Sequence, residues 1–454
     1  MRISDLENRR VAIWGLGREG HAAHDVLRRR IPDIELAIFC SEAEAKFLGS
    51  GNALDRYITR KPTAADLAAF DVIIKSPGIS AYLPELLEAQ HNGTRFTSAT
   101  ALWSAEHPQA RVIAVTGTKG KSTTSALIAH LLRALGRRTA LAGNIGMPVL
   151  ELVDAPMQPE WWVIELSSFQ TRQMQCVELA VITNIEEEHL DWHGSRERYV
   201  ADKLALADVA RQLLVNGTQQ YLMQQTSAHA NRIVFGTQAG WHVDAQAIWR
   251  GDSRIVDLAT LPLSGPHNAL NACAALAALE AVGEDAFAAS AALSSFRPLP
   301  HRLQVLGERN GIRWIDDSIA TTPQAAIEAL RSVGGQPVCL ILGGHDRGLD
   351  WSVFAGHVRE HPPQAIVLNG ASRERVAKML QARGGDYHLH VCRSLADAVI
   401  AARSEMNSTG VILLSPGAPS FDQFHDYAER GRAFAELGGF DAEQIGQIEG
   451  LGIA

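Results

Sequence analysis

One stretch of the sequence joins an apolar run, a glycine-rich turn and a helical pattern in the order that phosphate binding requires. The apolar run 112–116 is followed by glycines at positions 117 and 120, and Lys121-Ser122-Thr123 opens the helical pattern. Glycines let successive backbone N–H groups face one anion, and a helix N-terminus adds partial positive charge. The lysine can reach a terminal phosphate, and the hydroxyl after it can hold Mg²⁺. The stretch predicts an ATP loop, with its glycines closer together than in G-x-x-x-x-G-K-[ST]; the alternative is a plain turn with a solvated lysine.

A carboxylate and an imidazole follow two later apolar runs. Glu165 ends the run 161–165, where a buried carboxylate needs a hydrogen-bond partner or a cation. Mg²⁺ is the natural cation beside a triphosphate, and neighbouring hydroxyls are the alternative partners. His189 lies in an acid-rich loop after the run 179–184, which suits a hard cation. Lys203, fourteen residues further on in a helical pattern, would by its position alone extend to water.

A second glycine-rich turn lies near the N-terminus. Glycines at positions 15, 17 and 20 match G-x-G-x-x-G after an apolar run, which by itself is a weak signal for nucleotide phosphates. A later run leads into Ser76-Pro77-Gly78, another turn at the end of a predicted strand. Tight turns that serve packing alone remain the alternative for both. A dehydrogenase also needs an acidic residue at the end of the second strand, and Glu42 comes late for that role.

The alternation of apolar runs with helical patterns predicts an α/β fold with parallel sheets. A Pro-rich segment at 296–302 marks a domain boundary. We predict a Rossmann-like domain over 1–107, a central P-loop ATPase-type domain over 108–302 and a C-terminal Rossmann-like domain over 303–454. In the central domain, Asn268 and Asn271 share the first turn of a long Ala/Leu helix, where they could contact a base or cap the helix.

Composition narrows the class of protein. The chain has 454 residues, a net charge of −8 and no basic stripe, so nucleic acid is not an expected partner. Five scattered cysteines indicate reduced thiols rather than disulfides or a zinc site. The N-terminus lacks the apolar segment of a secretory signal, and no run is long enough to span a membrane. We therefore expect a cytoplasmic protein with no membrane partner.

The order of these motifs resembles that of the Mur ligase family, the ATP-dependent amide-forming enzymes of peptidoglycan precursor synthesis. The resemblance covers essentially the whole chain. It is carried by residues 116–124, Asn144-Ile145-Gly146, Glu165-Leu166-Ser167-Ser168-Phe169-Gln170, Asn184, His189, Lys203, His267-Asn268, Asn271, His301-Arg302, Asp317-Ser318, Ser415-Pro416-Gly417 and Ser420-Phe421-Asp422-Gln423-Phe424. The motifs that begin at Glu165 and Ser420 are most similar to the branch that adds glutamate to UDP-N-acetylmuramoyl-L-alanine.

The resemblance implies that the three domains bind the UDP-linked substrate, ATP and the amino acid in turn. The alanyl carboxylate would attack the γ-phosphate of ATP, and the glutamate amine would then attack the resulting acyl phosphate. The implied cofactors are ATP and two Mg²⁺ ions. One ion would be held by Ser122 and Glu165, and the other by His189 and Lys203. In the family this lysine is carbamylated, which turns a cation into a carboxylate-like ligand suited to a hard cation.

The remaining implied roles fall into three groups. The implied catalytic residues are Lys121, Glu165, His189 and Lys203. The implied ATP contacts are Gly117, Thr118, Lys119, Gly120, Lys121, Ser122, Thr123, Asn268, Asn271, Arg302 and Asp317. The implied substrate contacts are Gly15, Leu16, Gly17, Ser76, Pro77, Gly78, Asn144, Ser167, Gln170, His189, Thr321, Arg347, Ser420, Phe421 and Tyr427.

The sequence departs from relatives that take D-glutamate at four positions where the amino acid should bind. These are Ile319 in place of lysine, Thr322 in place of asparagine, Arg347 in place of lysine and Tyr427 in place of phenylalanine. A sister group joins L-glutamate and leaves inversion to a separate epimerase. The resemblance therefore favours L-glutamate and an epimerase acting on the product, with D-glutamate as the alternative. We also expect the enzyme to be a monomer.

Three other functions are alternatives to this ligase activity. A nicotinamide-dependent oxidoreductase would use the turn at 15–20 but leaves the second phosphate loop and the Glu165/His189 pair without a role. A folylpolyglutamate-type ligase shares the ATP domain but should lack the N-terminal nucleotide domain. A non-catalytic nucleotide-binding module would not need Lys121, Glu165, His189 and Lys203 together.

Overall fold

The structure is a computed structural model that describes residues 1–47, 52–186, 190–263, 265–406 and 409–454. It divides into two compact units, one formed by residues 1–296 with 450–454 and the other by 297–449. The second unit begins in the Pro-rich segment that marks the predicted boundary. The division of the first unit at residue 107 stays a prediction.

The first unit opens with a five-stranded parallel sheet in the order β3-β2-β1-β4-β5. Its strands are β1 Val11–Trp14, β2 Leu36–Phe39, β3 Asp55–Ile58, β4 Val72–Lys75 and β5 Arg95–Thr97. Its helices are α1 Arg18–Arg30, α2 Glu42–Phe47, α3 Ala64–Ala68, α4 Pro84–His91 and α5 Ala99–Glu106. The strand order reverses between β1 and β4, so the turns after these two strands meet where open α/β sheets bind ligands.

A second, seven-stranded sheet of the first unit carries the predicted ATP loop. It is parallel except for the last strand of the chain, Gly452–Ile453, which pairs antiparallel with β7. The other strands are β6 Val112–Thr116, β7 Thr139–Gly143, β8 Trp161–Glu165, β9 Val177–Ile182, β10 Ala210–Asn216 and β11 Arg232–Phe235. Every residue of β6 and β8 is buried, because helices cover both faces of the sheet.

Where the structure describes the chain, the same unit contains six further α-helices and a small antiparallel sheet. The helices are α6 Lys121–Ala134, α7 Leu190–His193, α8 Arg196–Asp208, α9 Gln220–Gln225, α10 Pro266–Ala281 and α11 Ala286–Ser290. The antiparallel strands are β12 Trp241–Asp244, β13 Ala247–Arg250 and β14 Ser253–Asp257. Trp103 of α5 packs on Trp162 of β8, so the first two sheets share a core cluster.

The second unit is built on a six-stranded sheet in the order β15-β16-β20-β17-β18-β19. Only β15 is antiparallel within it. The strands are β15 Gln304–Arg309, β16 Ile312–Asp316, β17 Val338–Gly343, β18 Ala365–Asn369, β19 His388–Val391 and β20 Gly410–Leu414. The helices are α12 Pro323–Ser332, α13 Ser352–Glu360, α14 Arg373–Arg383, α15 Leu395–Glu405, α16 Tyr427–Gly438 and α17 Ala442–Ile445. The predicted α/β class with parallel sheets is confirmed.

The structure also bears on the cysteines and on membrane-spanning segments. All five cysteines are free thiols. In the described ranges, no helix combines the length and apolar character needed to cross a bilayer.

Candidate active site

The carboxyl ends of β6, β8 and β9 meet at one edge of the seven-stranded sheet. The pairing register sets Val115 beside Glu165 and Thr116 beside Ile182. The residues that follow each strand therefore come together, although they lie far apart in the sequence. This edge holds the predicted ATP loop, the Glu165 motif and the segment that begins at Thr183.

Two positions of the ATP loop accept only glycine. Gly117 has a φ of +149°, and a Cβ there would lie 1.9 Å from Thr183 Oγ1. Gly120 has a φ of +81°, and its Cβ would lie 2.4 Å from Asn271 Oδ1. Each side chain would meet both backbone strain and a steric clash. The loop is thus pressed against β9 and α10, as a close backbone approach to a ligand requires.

Asn184 holds the first half of the loop. Its Oδ1 accepts from the N–H groups of Thr118 and Lys119 at 3.0 and 2.8 Å, and its Nδ2 donates to the Lys119 carbonyl. These two N–H groups donate to Asn184 and so fix the shape of the loop. An anion would instead be bound by the first turn of α6, whose N–H groups have no partner within the helix.

The three residues that open α6 occupy the positions expected for phosphate and cation contacts. Lys121 is half-buried, and its Nζ donates to the Thr118 carbonyl at 2.9 Å. Ser122 is buried, and Thr123 is half-buried. A helix N-terminus that carries a lysine and a hydroxyl can bind a terminal phosphate together with a hard cation.

Glu165 lies 1% exposed at the end of β8. Asn144 Nδ2 donates to its Oε1 at 2.9 Å, so one oxygen is held by the amide rather than by a hydroxyl. Its Oε2 is buried and accepts from no group among the described residues. A buried carboxylate oxygen without a donor is destabilising unless a cation satisfies it. The orphaned Oε2 fits the predicted Mg²⁺ ligand.

Lys203 lies at the loop rather than in water. It is buried on α8, and its Nζ donates to the Gly117 carbonyl at 2.7 Å. The ammonium also lies 4.8 Å from the centre of the Tyr199 ring, whose hydroxyl bonds Thr118 Oγ1 at 2.7 Å. The predicted partner ligand His189 lies outside the described residues. Among the described residues, no three His, Cys, Asp or Glu side chains converge on a metal position.

The asparagines of α10 face the loop. Asn271 Nδ2 donates to Asn268 Oδ1 at 3.2 Å, and Thr124 Oγ1 donates to Asn271 Oδ1 at 3.3 Å. The N-cap of the helix is Gly265, with no side-chain cap. Neither asparagine therefore occupies the N-cap position, and the Asn271 amide lies beside Gly120.

The turns after β1 and β4 contact each other at the edge of the five-stranded sheet. Ser76 Oγ donates to the Gly15 carbonyl at 2.8 Å, and Gly15 has a φ of +90° with a Cβ position only 3.0 Å from Ser76. Leu16 is buried, whereas the Cβ positions at Gly17 and Gly78 are open. The Pro77 carbonyl accepts from Trp192 Nε1 at 3.0 Å. Packing accounts for Gly15, and the open glycines leave room for a ligand.

Two of the predicted acceptor residues, Ser167 and Gln170, form a hydrogen-bonded chain with Glu19. Ser167 Oγ donates to Gln170 Oε1 at 2.8 Å, and Gln170 Nε2 donates to Glu19 Oε1 at 3.1 Å. Burial raises the pKa of Glu19 to about 7, with Arg18 lowering it and Glu151 raising it to smaller extents. Ser167 and Gln170 are thus tied to the first turn of α1, next to the Gly15–Gly17 turn.

The other predicted residues belong to the second unit. Asp317 is buried at the end of β16, where it accepts from Ser415 Oγ at 2.8 Å and from the Leu303 N–H at 3.2 Å. Burial raises the pKa of Asp317 to about 7. The remaining positions differ in exposure. Arg302 and Arg347 are exposed, Phe421 is exposed, Ser420 is buried, and Thr321 and Tyr427 are half-buried.

Sequence reasoning gave no role to several groups that hold the loop, although it included Asn184 among the residues that carry the resemblance. Asn184 and Thr183 anchor the loop, and Tyr199 bonds Thr118. Thr183 Oγ1 donates to the Lys119 carbonyl at 2.6 Å. The available signal was a pair of polar residues at the end of an apolar strand, which is where an α/β sheet places its ligand contacts.

The chain is similar in sequence to known protein families and to individual proteins. The chain matches the family model "Mur ligase middle domain" over residues 115–279 and "Mur ligase, glutamate ligase domain" over residues 301–417. It is 46% identical to the UDP-N-acetylmuramoyl-L-alanine--L-glutamate ligase of Xanthomonas axonopodis pv. citri, with both chains covered completely. The ligase of the same name from Micromonospora sp. is 37% identical over 96% of this chain and 98% of its own.

Solved structures share the fold at low identity. The UDP-N-acetylmuramate-alanine ligase MurC of Thermotoga maritima aligns with a TM-score of 0.63 at 19% identity, covering 95% of this chain and 99% of its own. The MurF ligase of Thermotoga maritima in complex with ADP aligns with a TM-score of 0.57 at 16% identity, covering 96% and 95%.

Proposed function

This chain belongs to the Mur ligase family, and on that premise we propose that it joins L-glutamate to the alanyl carboxylate of UDP-N-acetylmuramoyl-L-alanine with ATP as the energy source. As a member of the family it is an ATP-dependent, ADP-forming ligase of peptidoglycan precursor synthesis. The single observation that carries the substrate is the full-length identity of 46% to a ligase of that name.

The chemistry has two steps. The alanyl carboxylate attacks the γ-phosphorus, the bond to the bridging oxygen breaks, and ADP leaves an acyl phosphate behind. The glutamate amine then attacks the acyl carbon, and inorganic phosphate leaves as the amide forms. Both steps depend on positioning and on neutralising charge rather than on a protein nucleophile. The first turn of α6 with Lys121 would hold the γ-phosphate for both.

Mg²⁺ fits the residues that surround the loop. The orphaned Oε2 of Glu165 and the buried hydroxyl of Ser122 are oxygen donors at one sheet edge, which is the ligand type that Mg²⁺ prefers. A second ion would be held by His189 and by Lys203 as a carbamate. When bound, the ions would supply positive charge against the phosphates. This chain's own residues would hold and orient the nucleotide around them.

The remaining roles are those that the family resemblance implies. Asn268 and Asn271 would contact the adenosine, and Arg302 and Asp317 would hold its phosphate and ribose. The turns at 15–17 and 76–78 would hold the UDP portion, since Gly17 and Gly78 leave open space. Asn144, Ser167 and Gln170 would line the acceptor carboxylate. Thr321, Arg347, Ser420, Phe421 and Tyr427 would bind glutamate.

The L configuration is supported by two separate considerations. The full-length relatives carry L-glutamate in their names. The four departures at Ile319, Thr322, Arg347 and Tyr427 all fall where the amino acid should bind, and replacing a lysine ammonium by a guanidinium changes the donor geometry offered to a carboxylate. A separate epimerase would then invert the glutamyl residue of the product.

Phosphate release tests the proposal directly. Purified protein is mixed with UDP-N-acetylmuramoyl-L-alanine, ATP and Mg²⁺, and the rate is measured with L-glutamate and with D-glutamate. We expect release with L-glutamate to be at least about tenfold faster, since a mispositioned amine loses several kcal/mol of orientation. A preference for D-glutamate would reverse the assigned configuration and leave the ligase assignment intact. Absence of acceptor-dependent phosphate release with either would refute the substrate.

A further inference from the structure

A buried imidazole–carboxylate pair beside the ATP loop links three segments of the first unit. His193 Nδ1 lies 2.7 Å from Asp202 Oδ2, and His193 Nε2 lies 3.0 Å from Ser168 Oγ. Both His193 and Asp202 are buried. Because an ionised carboxylate only accepts, the Nδ1–H donates to Asp202; in the neutral imidazole, Nε2 then accepts the hydroxyl proton of Ser168.

This order of groups is also that of Ser–His–Asp hydrolases, but the setting disfavours nucleophilic attack. Ser168 is buried at 5% exposure, and its neighbour Phe169 stacks on Trp192 with ring centres 4.4 Å apart. The Ser168 hydroxyl is therefore largely shielded from a substrate carbonyl. The pair therefore orients the segments that it joins.

On one side the pair reaches the predicted UDP-binding turn. Tyr82 OH donates to both Asp202 oxygens at 2.9 Å, and Arg172 Nε also donates to Asp202. Trp192 Nε1 donates to the Pro77 carbonyl, and Ser80 Oγ donates to the Trp192 carbonyl at 2.6 Å. The segment 77–82 is thus bonded to both α7 and α8.

On the other side the pair reaches the ATP loop. Asp202 directly precedes Lys203 on α8, and Lys203 donates to the Gly117 carbonyl at 2.7 Å. Ser168 directly follows Ser167 in the segment that Glu165 begins. Because Asp202 and Lys203 are consecutive residues of α8, a shift of Tyr82 that moves Asp202 would also move Lys203.

We propose that His193 and Asp202 are positioning residues that couple binding of the UDP-linked acceptor at residues 76–78 to ordering of the ATP loop at residues 117–122. The proposal rests on the proposed function for the identity of the two ligands. Such coupling is reciprocal: if the acceptor tightens nucleotide binding by some factor, the nucleotide tightens acceptor binding by the same factor.

Calorimetry on the full chain tests the coupling. The dissociation constant of a non-hydrolysable ATP analogue with Mg²⁺ is measured without and with saturating UDP-N-acetylmuramoyl-L-alanine. In the unmodified protein we expect the acceptor to tighten analogue binding by about fivefold or more. The ratio of the two dissociation constants, without and with the acceptor, measures the coupling. In Tyr82→Phe this ratio should fall close to one, because a hydrogen bond to a carboxylate changes an equilibrium constant by a factor of roughly ten. Analogue binding without the acceptor should not change.

Tyr57→Phe is the matched control, since the Tyr57 hydroxyl is buried without a hydrogen-bond partner among the described residues. It removes the same atom and should leave the ratio intact. Asp202→Asn should reduce the ratio as Tyr82→Phe does, because an amide cannot accept from all three donors.

Two results would overturn the coupling. One is an acceptor that leaves analogue binding unchanged in the unmodified protein. The other is a ratio that survives both Tyr82→Phe and Asp202→Asn while their melting temperatures fall, which would assign the network to stability alone. A protein that neither binds the acceptor nor releases phosphate with it would refute the proposed function, and the coupling with it.

Discussion

The side-chain ammonium of Lys203 donates to the backbone carbonyl of Gly117 over 2.7 Å, so a residue of α8 reaches the ATP loop. A helical lysine ordinarily extends to water, yet this one is 2% exposed. The contact is compatible with carbamylation, because a carbamate nitrogen keeps one N–H that can still donate to Gly117. The added carboxylate supplies oxygen ligands for a hard cation, which an ammonium cannot do.

Lys203→Ala should therefore lower the rate of phosphate release by about 100-fold, the loss typical of a preorganised charge-stabilising group. A short carboxylic acid added to the assay should restore part of the activity by occupying the space of the carbamate. The control is Lys378→Ala, which removes an exposed lysine of α14 and should change nothing. A Lys203→Ala enzyme with nearly full activity and no response to the acid would limit Lys203 to anchoring the loop.

The variant Glu165→Gln separates the effect of this residue on activity from its effect on stability. Glu165→Gln keeps an acceptor for Asn144 but removes the charge at Oε2, which is buried without a partner among the described residues. We expect about a 100-fold loss of rate and a higher Mg²⁺ requirement. We also expect unchanged or higher stability of the ligand-free protein, by up to about 1 kcal/mol, because an unsatisfied buried charge is removed.

Melting curves and Mg²⁺ titrations of Glu165→Gln are compared with those of Glu88→Gln, an exposed carboxylate of α4. If Glu165→Gln melts several degrees lower and keeps its Mg²⁺ dependence, Glu165 serves the fold and not the cation.

Alanine variants at Gly120 and Gly136 distinguish the effect of a steric clash from the effect of backbone strain. Both have a positive φ, at +81° and +76°, but a Cβ at Gly120 would lie 2.4 Å from Asn271 Oδ1, whereas nothing lies within 4 Å of a Cβ at Gly136. Gly136→Ala should lower the free energy of unfolding by about 1–2 kcal/mol without affecting nucleotide binding. Gly120→Ala should add to this a loss of ATP-analogue affinity of at least about tenfold, because Asn271 must move. Equal affinities in the two variants would show that the position of Asn271 does not matter to the nucleotide.

The local parts of the site could be predicted from the sequence because strand, turn and helix lie next to each other in the chain. The turn at 117–123 and the strand end at Glu165 are of this kind. The α/β class followed from the same alternation. The predicted edges were less accurate: β9 spans Val177–Ile182, whereas the sequence placed the apolar run at 179–184.

The long-range contacts could not be predicted in this way. Asn184 holds Lys119 across 65 residues, and Tyr199 bonds Thr118 across 81 residues. The burial of Lys203 depends on Gly117, which lies 86 residues earlier. Such pairs depend on which strands are neighbours in the sheet, and periodicity within one segment carries no information about that.

Asp317 makes the stability of the second unit depend on pH in a defined direction. Burial raises the pKa of its carboxyl to about 7, while the unfolded chain releases this proton near pH 4. Between these values the folded state binds a proton that the unfolded state lacks, so stability falls as the pH rises from 4 to 7. The slope from this one group approaches about 1.4 kcal/mol per pH unit.

Asp317→Asn removes this titration. The free energy of unfolding of the variant minus that of the unmodified protein should therefore increase steadily from pH 5 to pH 7, and this difference should become constant above pH 7. Denaturant unfolding of both proteins at half-unit pH intervals measures the difference. The comparison is needed because Glu19, whose pKa burial also raises to about 7, gives the unmodified protein and the variant the same additional slope. Parallel stability curves for the two proteins would mean that Asp317 stays ionised in the folded state despite its burial, held by the Ser415 hydroxyl and the Leu303 N–H.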